Sequence, residues 1–340
     1  MVRYLYFLLS HTLFLPLWIG LYFKGYFTFL NIGYVFGILV ILDILFGKEN
    51  YVASKINMDK NETSMYKYVL YSWSFIHIFN VFLTLYLINT GIYSMFEIIG
   101  LIISLGIEGG QSIAVAHELC HKNNKFDRWL ARFLLFFVLY NHFEIEHKHG
   151  HHVNVATELD PATAKFNQTF YSFWVQSVFG GIKSAYKLET LNKGFTIHNK
   201  MITITILYII WLSYLFINNP IVMISFLLQS IFGFSFLELS NYFEHYGLVR
   251  KKISDDRYES VEFYHSWDND NCISNWILFR LGRHADHHKL PYKEYQYLVP
   301  IMNSPQLITG YPGCALLCLV PPLWFKIMNP RVEQIRKKFS

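Results

Sequence analysis

Fifteen of the 340 residues are histidines, and most of them stand in short clusters with carboxylates alongside. In His117-Glu118-Leu119-Cys120-His121-Lys122 a spacing of four puts His117 and His121 on one helical face. In Glu146-His147-Lys148-His149-Gly150-His151-His152 the pair His147 and His151 is again four apart, with His152 beside it. His149, two residues from each of that pair, would face away on a helix. His245 closes Asn241-Tyr242-Phe243-Glu244-His245, and Arg283-His284-Ala285-Asp286-His287-His288 adds three more at spacings of three and four. Neutral imidazole binds zinc, copper, iron and nickel, so the pattern points to a metal centre without naming the metal. The candidates His117, His121, His147, His151, His152, His245, His284, His287 and His288 outnumber the four ligands of a zinc site. Two ions with four or five nitrogens each fit them better. His-Glu-x-x-His alone would suggest an intramembrane zinc protease with Glu118 as general base, a reading that leaves at least six histidines without a role.

Composition says what must position these clusters. Charged residues make up 16%, against about a quarter in a soluble domain, while 53% are hydrophobic and 19% aromatic. The fold class expected is an all-α integral membrane protein with a histidine-rich cap on one side. Six segments approach the roughly 20 apolar residues needed to cross a bilayer: 4–23, 27–46, 68–88, 93–116, 201–217 and 221–240. The first has no small-residue cleavage site and reads as a retained helix. Trp129–Tyr140 is too short to span, and Gln306–Phe325 is interrupted by Gly310, Pro312, Gly313, Pro321 and Pro322. Both are expected to pack against the membrane domain or re-enter it.

With the amino terminus cytoplasmic, Lys24 is the single basic residue in the outer connections 24–26, 89–92 and 218–220, out of 29 in the chain. The positive-inside rule therefore puts both termini in the cytoplasm, together with the segments 117–200 and 241–340. The fourth apolar segment ends at Ala116 and the sixth delivers His245 to the same side, so all four clusters can meet at one cytoplasmic edge. No repeat or linker suggests a second domain, and 1–340 reads as a single membrane domain. A transporter would place its ligands nearer the bilayer midplane.

Carboxylates near the clusters are candidates to accept a ligand imidazole's second N–H, which fixes its tautomer. Glu108 lies nine residues before His117 and Glu238 seven before His245, each inside an apolar segment where an ionisable group is expensive. Asp160, Asp286 and Asp43, together with His265 in Tyr264-His265-Ser266-Trp267, are further candidates for that supporting shell. His11 and His77 read as hydrogen-bonded packing residues, and His142 and His198 have no partner at helical spacing. Trp18, Phe29, Phe36 and Trp73 could set the depth of an apolar channel, but each reads more simply as bulk or core.

The combination of HELCHK at 117–122, EHKHGHH at 146–152, NYFEHYGL at 241–248 and GRHADHH at 282–288 resembles the membrane alkane hydroxylase (alkane 1-monooxygenase) family, within the fatty acid desaturase-like di-iron superfamily. Asp160-Pro161-Ala162, His265-Ser266-Trp267 and Tyr295-Gln296 support the resemblance, and Gly282 and Ala285 depart from the family's usual Gln and Ser. The resemblance implies two iron ions held by the nine histidines, O2 as co-substrate, and hydroxylation of the terminal methyl of an n-alkane to a 1-alkanol. It implies a bacterial cytoplasmic membrane, and electrons from rubredoxin reduced by an NAD(P)H-dependent rubredoxin reductase. The chain has no G-x-G-x-x-G motif, and its four cysteines form no C-x-x-C pair. Electrons must therefore come from outside it. A net charge of +5 on a basic face suits an acidic partner, and nothing points to nucleic acid. Related di-iron enzymes acting on xylene-like methylarenes or on acyl lipids are the alternatives.

Overall fold

Six helices are long and apolar enough to cross a bilayer in the computed structural model, which describes residues 3–49, 60–255 and 257–339, and of residues 60–62 the backbone alone. They are α1 (Arg3–Phe23), α2 (Gly25–Phe46), α3 (Lys60–Asn89), α4 (Met95–Cys120), α8 (Lys200–Asn218) and α9 (Pro220–Glu244). Between α4 and α8 lie α5 (Lys125–Phe136), α6 (His142–Glu146) and α7 (Phe170–Lys193). After α9 come the short strands β1 (Lys252–Ser254) and β2 (Arg257–Tyr258), a pairing the all-α expectation did not contain. The helices α10 (Cys272–Ile277), α11 (His284–Lys289), α12 (Tyr311–Cys318) and α13 (Pro321–Phe339) complete the described chain.

Local sequence explains where the spanning helices begin. Ser94 and Glu97 form a reciprocal capping box at the start of α4. Asn199 caps the start of α8, and Asn219, in the turn that joins α8 to α9, caps α9 with Pro220 in its first turn. Helix α4 is the bundle's centre, with 83% of its spanning window buried, against 11% for α8. Glycines let α9 approach it. A Cβ at Gly106 would come within 2.5 Å of the Phe232 Cβ, and one at Gly110 within 2.7 Å of the Phe236 Cβ.

Several boundaries differ from the sequence reading. Helix α3 starts at Lys60 rather than at residue 68, and α9 runs on to Glu244. Helix α4 continues past Ala116 through Cys120, because His-Glu-Leu-Cys contains no helix breaker. His117 therefore rides in its last turn instead of following it. Trp129–Tyr140 falls mostly in α5, whose Leu130, Ala131, Leu134 and Leu135 are buried. The Gly/Pro-rich stretch becomes α12 and α13, bent by 117° at the break before Pro321.

Candidate metal centre

The nine histidines of the four clusters come together as two groups. His117, His121, His147, His152 and His287 form one; His151, His245, His284 and His288 form the other. Within each, one imidazole nitrogen per residue lies within 4.8 Å of all the others. Spacing alone would not have sorted them. His147 and His151, four apart, fall in different groups, whereas His147 and His152, five apart, bring their Nε2 atoms to 3.0 Å. The reason is that His147–His151 is a π-helical turn, in which residues five apart come into register. His149 on that turn is exposed and belongs to neither group. On α11, His284 and His288 join the group of four and His287 joins the group of five.

The donor set fits metal ions. The Nε2 atoms of His117 and His287 are 3.0 Å apart, those of His245 and His284 3.0 Å, and those of His284 and His288 2.9 Å. A neutral imidazole carries a single N–H, so such convergence leaves lone pairs facing a common point. The Nε2 of His121 is buried with no hydrogen-bond partner. Burial pushes the His121 and His245 imidazoles down to about 3, and His147, His284, His287 and His288 well below the usual histidine range. All are thus held neutral, the form that coordinates metal.

Of the supporting residues expected, the structure keeps Asp160. Its Oδ2 accepts from His151 Nδ1 at 2.9 Å and from Thr163 Oγ1 at 2.6 Å, while Oδ1 accepts from the Ala162 N–H at 3.0 Å. Burial works against protonating His151, but the Asp160 charge outweighs it and raises that imidazole. The other candidates have their hydrogen bonds elsewhere. Glu108 meets His77 Nδ1 at 3.3 Å and Asn80 at 3.1 Å, tying α3 to α4. Glu238 accepts from Tyr140 at 2.6 Å, Asp286 from Lys293 at 2.6 Å and the Val299 N–H at 2.8 Å. His265 spends its ring nitrogens on the Glu262 N–H at 2.9 Å and on Glu259 at 3.1 Å. Asp43 accepts from Ser274 through both its N–H and its hydroxyl. His11 bonds Ser72 and His77 bonds Glu108, both as packing residues. Sequence reasoning passed over Glu244, whose Oε1 lies 3.5 Å from His284 Nδ1 and accepts from the Tyr311 hydroxyl. A carboxylate immediately before a cluster histidine, at the end of an apolar helix, was the available signal.

An apolar cavity of about 120 Å3 leads to these groups. Val35, Phe36 and Leu39 of α2, Ile107 and Ala114 of α4, Phe236 and Leu239 of α9 and Ala315 of α12 line it together with His117, His147 and His284. Phe36 is therefore cavity wall rather than bulk, whereas Trp73 is packed between Phe14 and His77 and Trp18 bonds Asn80.

A membrane-spanning helical bundle whose buried histidine clusters suit a di-iron centre defines a class of integral-membrane oxidoreductases. Residues 94–314 match the fatty acid desaturase family. The chain is 35% identical over 319 residues to an alkane 1-monooxygenase of Pseudomonas putida, covering 91% of this chain and 79% of that protein. It is 37% identical over 327 residues to an alkane 1-monooxygenase of Acinetobacter baylyi, covering 88% and 76%. To the hydroxylase component of xylene/toluene monooxygenase from Pseudomonas putida it is 28% identical over 338 residues, covering 95% and 87%. The chain belongs to the alkane 1-monooxygenase family.

Proposed function

We propose that this protein is a di-iron monooxygenase that hydroxylates the terminal methyl of an n-alkane, with the nine clustered histidines as the iron ligands. The observation that carries the reading is a mainly apolar cavity whose lining includes His117 and His147 of one imidazole group and His284 of the other. When bound, two iron ions would supply the activation of O2 and the oxygen transfer. The chain's own residues do the rest. The aliphatic and aromatic walls of α2, α4 and α9 accept a hydrocarbon chain end-on, exclude water and present its terminus to the histidines. The Asp160 carboxylate holds the His151 Nδ1 proton, leaving Nε2 free to coordinate.

The basic residues outside the short connections support a cytoplasmic histidine cap in a bacterial inner membrane. Electrons then arrive from an acidic cytoplasmic carrier, a rubredoxin with its NAD(P)H-dependent reductase. Against a zinc protease, Glu118 is committed to Lys122 at 2.6 Å and to the Tyr295 N–H at 3.3 Å, which removes it as a general base. Similarity to the xylene/toluene hydroxylase component favours methylarenes as the second reading.

A competition assay separates the two. Cells expressing the protein with a rubredoxin and its reductase are fed medium-chain alkanes, xylene and a fatty acyl ester, with a His287→Ala strain as blank. Terminal alkanols absent from the blank are the expected products. Benzylic alcohols or modified acyl chains in their place would overturn the substrate assignment.

A further inference from the structure

The last histidine cluster sits on a short helix far along the chain from the spanning segments. His117 and His121 ride at the end of α4, and His245 follows α9 directly, whereas His284, His287 and His288 sit on α11, six residues long. The turn before it is unusual. Phe279 and Arg280 hold φ of 52° and 56°, a left-handed conformation that residues other than glycine rarely adopt. Such a turn persists only where its surroundings over-determine it.

The Glu49 carboxylate meets several donors of this segment, alongside the Gln296 carbonyl, which accepts from Arg280 at 2.8 Å. Glu49, just beyond the end of α2, accepts from Arg280 at 2.8 Å (Nη2 to Oε1) and 3.2 Å (Nε to Oε2). Its Oε2 also accepts from Arg283 Nη2 at 2.8 Å, and its Oε1 from Trp276 Nε1 at 3.3 Å. The Glu49 backbone adds two ties: its carbonyl accepts from Arg283 Nη2 at 3.1 Å, and its N–H donates to the Asp270 carbonyl at 2.7 Å. The Arg283 side chain is wholly buried and that of Arg280 is 5% exposed. Breaking a buried ion pair by removing one partner is strongly destabilising, and the guanidinium it frees is drawn toward water. Arg283 immediately precedes His284, so any such movement reaches α11 directly.

We propose that Glu49 is the positioning residue of the four-histidine group. By bonding both guanidiniums it holds the left-handed turn, and with it His284 and His288, against the membrane bundle. The inference rests on the di-iron reading above. Loss of the clamp removes two members of the group of four but only His287 from the group of five, so its effect is unequal between the two.

The test is Glu49→Gln in the full-length protein, purified in nanodiscs, with iron content, Mössbauer spectra and hydrogen exchange measured beside wild type. Iron is expected to fall from about two to about one per chain, with one doublet lost selectively. Exchange across residues 278–289 should quicken while that of α4 stays unchanged. Glu49→Asp, which keeps the charge on a shorter stem, should lie between wild type and Glu49→Gln in both readouts. It carries the same comparison if Glu49→Gln does not fold. Both irons retained with wild-type doublets and exchange would overturn the proposal, and so would equal loss from both groups. Wild-type protein without iron would sink the di-iron reading, and the exchange comparison would still decide the clamp.

Discussion

The two imidazole groups are built from the same residue type but stand in different electrostatic surroundings. The group of four is buried throughout and carries carboxylates at its back, Asp160 on His151 and Glu244 near His284. In the group of five, His121 and His152 are partly exposed. Its near neighbours include Lys122 and Lys148, whose charges add to burial in lowering His121. Carboxylates behind a ligand raise its basicity and offset the charge of a bound cation, whereas nearby ammonium groups do the reverse. The difference teaches that ions bound at the two groups would not be equivalent. The buried, anion-backed group should hold its ion more tightly. The group of five, with His121 and His152 partly exposed, is the more solvent-accessible of the two.

The sharpest way to break this comparison is to strike one group at a time. His245→Ala removes a member of the group of four and His287→Ala one of the group of five. Both should abolish turnover, but each should erase a different Mössbauer doublet; loss of the same doublet in both variants would mean the grouping is wrong. Asp160→Asn should weaken iron retention by about 10- to 100-fold, at the group of four alone. Dialysis against a graded chelator series reads that directly.

Acidity gives a smaller and more distributed effect. Folded His121 and His245 titrate near 3, far below the ordinary 6.5, so the unfolded chain binds more protons than the folded one between those limits. Stability of the metal-free protein should therefore hold above pH 6.5 and decline as pH falls below it, visible as a falling Tm in detergent. A Tm that rises on acidification through that window would contradict the neutral-imidazole account. At the small end, His149→Ala should leave iron content and the spectrum unchanged, because His149 faces solvent on the π-helical turn. Substantial iron loss in that variant would place it in the group of five after all.

What could be seen in the sequence and what could not divides along physical lines. Spanning helices announce themselves through some twenty apolar residues and capped ends, so all six were visible, with errors confined to where helices run on through polar residues such as His117-Glu118-Leu119-Cys120. The nine histidines were visible because clusters of imidazole have few other uses. Their division into groups was not, since it depends on a π-helical turn at His147–His151 that no residue type signals. Supporting carboxylates were the least legible. Asp160 was found, but Glu108, Glu238 and Asp286 looked equally suitable by spacing and are turned to His77, Tyr140 and Lys293 instead. Glu49 and Glu244 meet Arg283 and His284, partners far away in the chain, and only the assembled bundle brings them there.

The most direct test of the central claim is to count and distinguish the metal ions in protein grown on 57Fe and purified without added metal. The account predicts about two irons per chain, appearing as two distinct Mössbauer doublets of equal area, one for each imidazole group. A single bound zinc, or one iron with a single doublet, would contradict it.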